Sequence, residues 1–129
     1  MNKDFRIQIF KIASLCRNFE EEVITNINNK KISTPTYVSA GQELIASTLS
    51  AICRKNKIKP LLFGQHRCHS TYLAFGGEPV KLIDELLGLK TGCTEGKGGS
   101  ASIHSKSINM YGHDGLMGSN GPIGVGACY

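Results

Sequence analysis

Apolar residues in the first quarter of the chain recur at alternating steps of three and four positions. They are Phe5, Ile9, Ile12, Cys16, Phe19, Val23 and Ile27. This spacing places them on one face of an α-helix. The polar residues 28–31 that follow include two lysines, which suit the negative end of the helix dipole. The pattern predicts one long helix that packs across a larger body, because the stripe is short for a coiled coil.

A second helix and a short strand are predicted next. Pro35 breaks the chain, and Ser39 or a neighbour can cap the helix. The apolar positions of this helix are Leu44, Leu49 and Ile52. The apolar run of residues 61–63 that follows is long enough only for a buried strand.

A third helix is predicted between Pro79, which suits a first-turn position, and Gly88, which ends it. Its inner face is expected to consist of Val80, Ile83, Leu86 and Leu87. Most of the 15 glycines lie beyond this helix, and they predict loop up to about Gly112 and a closely packed helix or turn from Gly115. Alternating helices and strands indicate an α/β layered fold, mostly helical, with too few strands for a complete sheet.

Composition indicates one globular domain within residues 1–129. Apolar residues make up 40% of the chain and charged residues 19%, which is ordinary for a globular protein. The net charge of +5 forms no stripe, and we interpret the basic run of residues 54–59 as a solvated helix end, so no nucleic-acid partner is predicted. Five scattered cysteines without C-x-x-C, and no signal peptide or membrane-length apolar run, favour a cytoplasmic protein with no membrane partner.

The glycine-rich segment lacks both of the phosphate-binding motifs that its composition suggests. A P-loop would need a glycine at Thr91 and a hydroxyl residue at Gly98, and a dinucleotide fingerprint would need a glycine at Tyr129. The N–H groups of such a loop can still bind an anion, because glycine lets the backbone approach closely. A surface loop with no ligand is the equal alternative.

Polar side chains follow the predicted strand and recur in the glycine-rich segment. Arg67 comes directly after the strand, where side chains of α/β folds face the ligand crevice, so its guanidinium suits a phosphate. Pairing with a carboxylate is the equal alternative for this arginine. His66 and His69 are three residues apart without a third ligand, so no metal site is predicted. His104 and His113 could act as acid–base groups or be solvated.

Five motifs occur in order from about Arg17 onward: "RNFEEEV", "SAGQELI", "FGQHRCHS", "GCTEGKGGSASIH" and "YGHDGLMGSNGPIGVGA". Together they resemble the opening half of the alpha subunit of thiamine-diphosphate-dependent 2-oxo acid dehydrogenases, the pyruvate, branched-chain and acetoin dehydrogenase group. The resemblance implies that residues 1–129 form the N-terminal part of a three-layer thiamine-diphosphate-binding fold. The complete enzyme would oxidatively decarboxylate a pyruvate-like 2-oxo acid and transfer the acyl group to a lipoyl acceptor.

The resemblance also implies roles for individual residues at the cofactor. His66 and Arg67 match an aromatic–arginine pair that reaches the diphosphate, with His66 in place of the usual tyrosine. Gly115 and Met117 match a turn whose backbone holds the aminopyrimidine ring. These four residues are therefore the predicted contacts of thiamine diphosphate.

Three further residues are implied on the substrate side. Tyr37 stands where the family often has a histidine near the substrate. His69 and His104 are the candidate catalytic residues, although "GGSASIH" is one residue longer than the common family motif at His104.

The metal ligands and the partners are expected outside this chain. Family members bind Mg²⁺ through G-D-G and a later asparagine, and "HDG" at residues 113–115 belongs to the pyrimidine turn instead. The implied partners are a segment carrying this missing half, a beta subunit that supplies the activating carboxylate, and a lipoyl-bearing acyltransferase. Two alpha and two beta chains would associate. We therefore expect residues 1–129 alone to have no dehydrogenase activity.

Two other functions remain open at this point. A non-catalytic binding or scaffold module could retain half of the fold, and the replacements at His66 and Tyr37 favour it. A synthase or decarboxylase that uses thiamine diphosphate without lipoyl transfer is the other alternative.

Overall fold

The structure is a computed structural model that describes residues 2–129, and for His113 and Asp114 it describes the backbone. Its elements in chain order are α1 (Lys3–Asn28), α2 (Glu43–Lys55), β1 (Leu62–Gln65), α3 (His69–Ala74), α4 (Pro79–Leu86), β2 (Met110–Asp114) and α5 (Asn120–Cys128). A short 3₁₀ turn, Lys106–Ile108, precedes β2. The predicted class, mostly helices with one or two short strands, is confirmed at this level.

Helix α1 is the long helix that the apolar stripe predicts. Asn2 caps it, since its side-chain carbonyl accepts a hydrogen bond of 2.9 Å from the N–H of Phe5. The buried apolar residues of the stripe are Ile9, Cys16, Phe19 and Val23. Glu20 is also fully buried, and its carboxylate needs partners that the helix itself does not supply.

Helix α2 buries a different face from the predicted one. The predicted apolar positions Leu44, Leu49 and Ile52 are 64%, 54% and 41% exposed. The buried residues are Glu43, Ala46, Ser47, Ser50 and Ala51. Small side chains on this face let α2 approach α1 and α3 closely, and that close approach determines which face is buried.

The predicted cap of α2 is also wrong. Gln42 occupies the N-cap position and makes no side-chain capping bond. Ser39 lies instead in the protein interior, where its hydroxyl donates to the Glu20 carboxylate across 2.6 Å. An N-cap serine accepts a hydrogen bond from a backbone N–H, whereas here the Ser39 hydroxyl donates to a buried carboxylate. Because the bond to the charged carboxylate is the stronger one, the serine turns inward.

Helix α4 begins at Pro79 as predicted, and Gly88 follows its end with φ +72°. Its inner face is only partly as predicted, because Val80 and Leu87 are 70% and 43% exposed. The residues it buries are Leu82, Glu85 and Leu86. The hydrogen-bond partners of the buried Glu85 carboxylate lie in the following loop.

Strands β1 and β2 form a two-stranded parallel sheet. Phe63 is opposite Gly112 and Gln65 is opposite Asp114. The sequence predicts loop for most of this segment, because it contains a glycine and no β-branched residue. That prediction is wrong for β2, which is recognisable as a strand only by its pairing with β1.

Helix α5 packs against both strands and confirms the helix predicted beyond Gly115. Gly112 has no side chain, and a Cβ there would lie 2.5 Å from the Phe63 ring and 2.8 Å from the Asn120 amide oxygen. The Asn120 amide donates to the carbonyl of Gly64 and ties the start of α5 to β1. Glycine thus allows strand and helix to close around Phe63.

The hydrophobic core lies where α1–α4 meet the loop that precedes β2. Its largest fully buried apolar side chains are Tyr72, Leu82, Leu86, Ile103 and Met110. Helix α3, which was not predicted, contributes Tyr72 to this core. All five cysteines are free thiols. Within residues 2–129, no helix is both long enough and apolar enough to cross a membrane.

Candidate functional site

The two parallel strands end at the same edge of the sheet, which we call the carboxyl edge and define as residues 66–67 and 115–118. His66 follows Gln65 and Gly115 follows Asp114, and Gln65 and Asp114 are paired in register. Neighbouring strands lie about 4.8 Å apart. Two segments that were predicted separately as cofactor contacts therefore lie side by side.

Tyr37 joins this edge through its ring. The centroids of the Tyr37 and His66 rings are 5.0 Å apart, with a tilt of 51° between their planes. Tyr37 is 39% exposed, so one face of the pair remains open to solvent. The predicted substrate residue and a predicted cofactor residue are thus in direct contact.

Arg67 is the exposed cation of the carboxyl edge. It takes part in none of the ion pairs between side chains that the structure describes. It lines a cavity of about 330 Å³ whose other walls include Gln42, Leu49 and Phe63. Among the described side chains Arg67 has no carboxylate partner, and the side chain of Asp114 lies outside them. A guanidinium in this position suits an anion.

His66 has one ring nitrogen engaged. Its Nδ1 atom lies 3.1 Å from the Gln65 side-chain nitrogen. An amide nitrogen can only donate, so Nδ1 accepts and the hydrogen of the neutral ring is on Nε2. The His66 ring can therefore donate to a negatively charged group beside Arg67.

The turn after β2 presents apolar surface at the same edge of the sheet. Leu116 and Met117 are 70% and 79% exposed. Gly118 closes the turn with φ +82°, a conformation that favours glycine. Two exposed apolar side chains on the segment that follows β2 suit the flat ring of a ligand whose charged end binds at residues 66–67.

His69 lies in the interior instead of at the carboxyl edge. It is fully buried, and both ring nitrogens have partners. Nδ1 is 3.2 Å from the Glu20 carboxylate, and Nε2 is 2.8 Å from the Ser100 hydroxyl. The ring thus has no free nitrogen for a substrate, and its catalytic role stays a prediction.

Glu20 accepts hydrogen bonds from three groups. Besides His69, the N–H and the hydroxyl of Ser39 donate to it across 2.8 and 2.6 Å. Burial raises the pKa of Glu20, but the bonds from His69 and Ser39 outweigh burial and hold that pKa below its ordinary value. Glu20 is therefore an ionised carboxylate inside the core.

Ser70 and Cys16 complete this interior network. The Ser39 hydroxyl gives its only hydrogen to Glu20, so it accepts from the Ser70 hydroxyl at 2.6 Å and from the Ser70 N–H at 3.0 Å. The Cys16 thiol points to the Ser70 carbonyl at 3.7 Å, and burial raises the pKa of this thiol to about 11. The sequence signal for the network was Glu20, an acidic residue in phase with a buried apolar stripe.

The glycine-rich loop binds an anion, and that anion is the Glu85 side chain. One carboxylate oxygen accepts from the N–H groups of Thr94 and Gly96 at 2.7 and 3.0 Å. The other accepts from those of Gly98 and Gly99 at 2.8 and 3.0 Å. These four N–H groups are thus occupied by the chain's own carboxylate, so this part of the segment is neither a free anion site nor a loop without a ligand.

His104 belongs to a different part of the molecule. It is exposed and lines a cavity of about 620 Å³ together with Cys93, Lys106 and Tyr111. This cavity adjoins the start of β2, whereas the carboxyl edge lies at its end, roughly 13 Å away along a five-residue strand. The structure does not bring His104 to the other candidate residues, and its catalytic role stays a prediction.

Glu43 of the "GQE" motif has a structural partner. The Arg17 guanidinium donates to it across 2.7 Å and the N–H of Gly41 across 2.9 Å. The hydrogen bond from Arg17 is the main cause that lowers the pKa of Glu43 to about 2. Among the side chains that the structure describes, no three histidine, cysteine or acidic residues form a group able to hold a metal ion, and those of His113 and Asp114 lie outside this set.

Known proteins resemble this chain along nearly its whole length. Residues 11–129 match the family described as "Dehydrogenase E1 component". The mitochondrial pyruvate dehydrogenase E1 component subunit alpha-1 of Oryza sativa subsp. japonica is 34% identical over 124 residues, which are 95% of this chain and 31% of that protein. The pyruvate dehydrogenase E1 component subunit alpha of Rickettsia prowazekii is 32% identical over 127 residues, or 98% and 38%. The chain thus spans about a third of the length of these relatives.

Proposed function

The chain belongs to the dehydrogenase E1 component family, and from this premise we propose that it forms part of the alpha subunit of a thiamine-diphosphate-dependent 2-oxo acid dehydrogenase. The similar proteins are named as pyruvate dehydrogenase subunits, which favours a pyruvate-like substrate. Residues 1–129 would be the N-terminal part of a larger three-layer fold whose magnesium-binding half lies in another segment.

One observation carries the proposal: the parallel pairing of β1 and β2 places residues 66–67 beside residues 115–118. Arg67 would bind the diphosphate through two N–H groups, and the His66 Nε2 hydrogen would donate to the same group. Gly115 and Met117 would hold the aminopyrimidine ring. Tyr37, in contact with His66, would face the substrate.

Thiamine diphosphate, when bound, supplies the carbanion-stabilising chemistry of such enzymes. The described residues of this chain offer the cofactor a cation, a ring donor and apolar surface, and these fit a diphosphate joined to a flat ring. The described side chains form no acidic group for Mg²⁺. As the resemblance implies, the magnesium ligands of the complete enzyme would lie in the other segment.

The complete enzyme would require partners that supply the rest of the site. We propose a beta subunit in a heterotetramer and a lipoyl-bearing acyltransferase that accepts the acyl group. His69 would influence the substrate only through Ser100 and Tyr37. His104 would contribute to catalysis only if a partner subunit brought substrate to its side of the molecule. The cytoplasmic location stays a prediction.

A non-catalytic binding module is the second candidate. It is favoured by His66, which replaces the usual aromatic partner of the arginine, and by Tyr37, which replaces a histidine. Such a module would bind the cofactor poorly or not at all, so cofactor binding separates the two functions.

We expect thiamine diphosphate at millimolar concentration to shift the NMR signals of residues 66–67 and 115–118 in the ¹⁵N-labelled chain. Arg67→Gln should raise the dissociation constant by about 10- to 100-fold, because a charge-assisted bidentate contact is lost. Arg6→Gln is the matched control, since Arg6 is exposed on α1. Thiamine without phosphate should bind no better to the wild type than to the Arg67 variant. Absence of shifts, or shifts unaffected by Arg67→Gln, would support the non-catalytic module.

The chain alone is expected to show no 2-oxo acid decarboxylation with pyruvate, thiamine diphosphate and Mg²⁺, because the metal ligands and the activating carboxylate would lie on other segments. Release of CO₂ is the measurement, and a complete pyruvate dehydrogenase serves as positive control. Turnover by the purified 129 residues would contradict the division of the site between chains.

A further inference from the structure

A chain of hydrogen bonds, followed by one ring contact, connects the interior network to the carboxyl edge. It runs from Glu20 through His69 Nδ1 at 3.2 Å, and from Nε2 to the Ser100 hydroxyl at 2.8 Å. The same hydroxyl accepts the backbone N–H of Tyr37 at 2.8 Å. The Tyr37 ring then contacts His66. The interior members, Glu20, His69 and Ser100, are buried to 1% exposure or less.

With Glu20 ionised and the His69 ring neutral, one arrangement of hydrogens satisfies every contact in this chain. The ionised Glu20 can only accept, so His69 Nδ1 carries the hydrogen that points to it. In the neutral ring Nε2 then accepts, and the Ser100 hydroxyl donates to it. The Ser100 hydroxyl oxygen, which can still accept, then takes the hydrogen bond from the Tyr37 N–H. Buried networks in which each member is satisfied rigidify the groups they connect.

The position of Ser100 is determined independently from the loop side. Gly98 and Gly99, which immediately precede it, donate their N–H groups to Glu85. Ser100 is therefore held between the Glu85 carboxylate on α4 and the His69 ring on α3. A hydroxyl anchored in this way can hold a neighbouring backbone segment in one place.

We propose that Ser100 and His69 are positioning residues, which hold the backbone of Tyr37 so that its ring stays against His66 at the carboxyl edge. The consequence for cofactor binding rests on the proposed function, whereas the contact between the rings does not. A histidine that only filled the core would contribute to global stability without a specific effect on Tyr37 and His66.

The first measurement uses the unchanged chain and records the ring nitrogen shifts of His69. We expect the Nδ1–H tautomer, with Nε2 unprotonated. Protonation of Nε2 would contradict this arrangement of hydrogens, and a Tyr37 amide that exchanges as an unprotected amide in the unchanged chain would overturn the proposal. The exchange measurement decides the matter even if substitutions of the buried residues fail to fold.

The second measurement compares Ser100→Ala with Ser102→Ala, a partly buried serine of the same loop. In Ser100→Ala, we expect the amide exchange rate of Tyr37, corrected for any change in global stability, to rise about tenfold, since one hydrogen bond is worth about that factor. The contacts between the Tyr37 and His66 rings should weaken, while Ser102→Ala leaves both unchanged. Equal effects of the two variants would overturn the proposal.

A cofactor titration separates this inference from the function on which it rests. If the wild type binds thiamine diphosphate, Ser100→Ala should weaken binding by about three- to tenfold, as expected for a displaced contact. If the wild type does not bind it, the proposed function fails, and amide exchange and ring contacts still decide whether Ser100 positions Tyr37. Unchanged affinity, exchange and ring contacts in Ser100→Ala would refute the inference alone.

Discussion

Glu85→Ala is expected to lower the free energy of unfolding by about 4 kcal/mol or more, the largest effect of any single substitution considered for this chain. The carboxylate accepts four backbone N–H groups from Thr94, Gly96, Gly98 and Gly99. Its removal leaves these donors unpaired next to an empty space in the core. Urea denaturation followed by circular dichroism measures the loss.

Two further variants test the cause of this loss. Glu85→Gln keeps the volume but turns an NH₂ group toward two N–H donors, so it should also be strongly destabilised. Glu95→Ala is the matched control, because Glu95 is exposed and pairs only with Lys97, so its effect should stay within about 0.5 kcal/mol. A Glu85→Gln variant as stable as the wild type would mean that the loop does not depend on the carboxylate.

Glu20→Ala is expected to cost about 3–5 kcal/mol at pH 7, because it leaves His69 and Ser39 without their buried acceptor. Glu21→Ala, an exposed neighbour on the same helix, is the control and should change little. The measurement is again urea denaturation. A similar loss in both variants would indicate a general helix effect instead of a lost network.

The cost of Glu20→Ala should also depend on pH in a defined direction. Glu20 has a pKa below its ordinary 4.5 in the folded chain, so the unfolded state binds the proton more tightly. Its stabilising contribution is complete above 4.5 and is lost as the pH falls through the lowered pKa. The difference in stability between wild type and variant should therefore be smaller at about pH 3 than at pH 7. A difference that grows on acidification would contradict the assignment.

The features that could be predicted from the sequence are those with a local or repeated signal. The stripe of α1 predicts its buried face because the helix is long enough for periodicity to dominate. Arg67 directly after an apolar run predicts a cation at a strand end. The five ordered motifs suggest the family, and the cofactor contacts that they imply on two segments stay a prediction.

The features that could not be predicted depend on partners distant in sequence. Strand β2 exists because β1 lies beside it, and its own residues have little strand preference. The buried face of α2 is set by close approach of small residues, so its large apolar side chains point outward. The Glu85 site combines a helix residue with N–H groups up to fourteen positions later, and no residue type in the loop identifies that anion.

The loop around Glu85 also changes how tolerance to substitution should be interpreted in this chain. A side chain at Gly92 would lie 2.5 Å from the Glu85 carboxylate, and one at Gly96 would meet the backbone of Gly88. Both glycines would prove intolerant in a mutational scan and would look like cofactor contacts. Their intolerance would instead result from the close packing of the loop around Glu85. A mutational scan that measures only loss of activity would therefore overestimate the extent of the binding site.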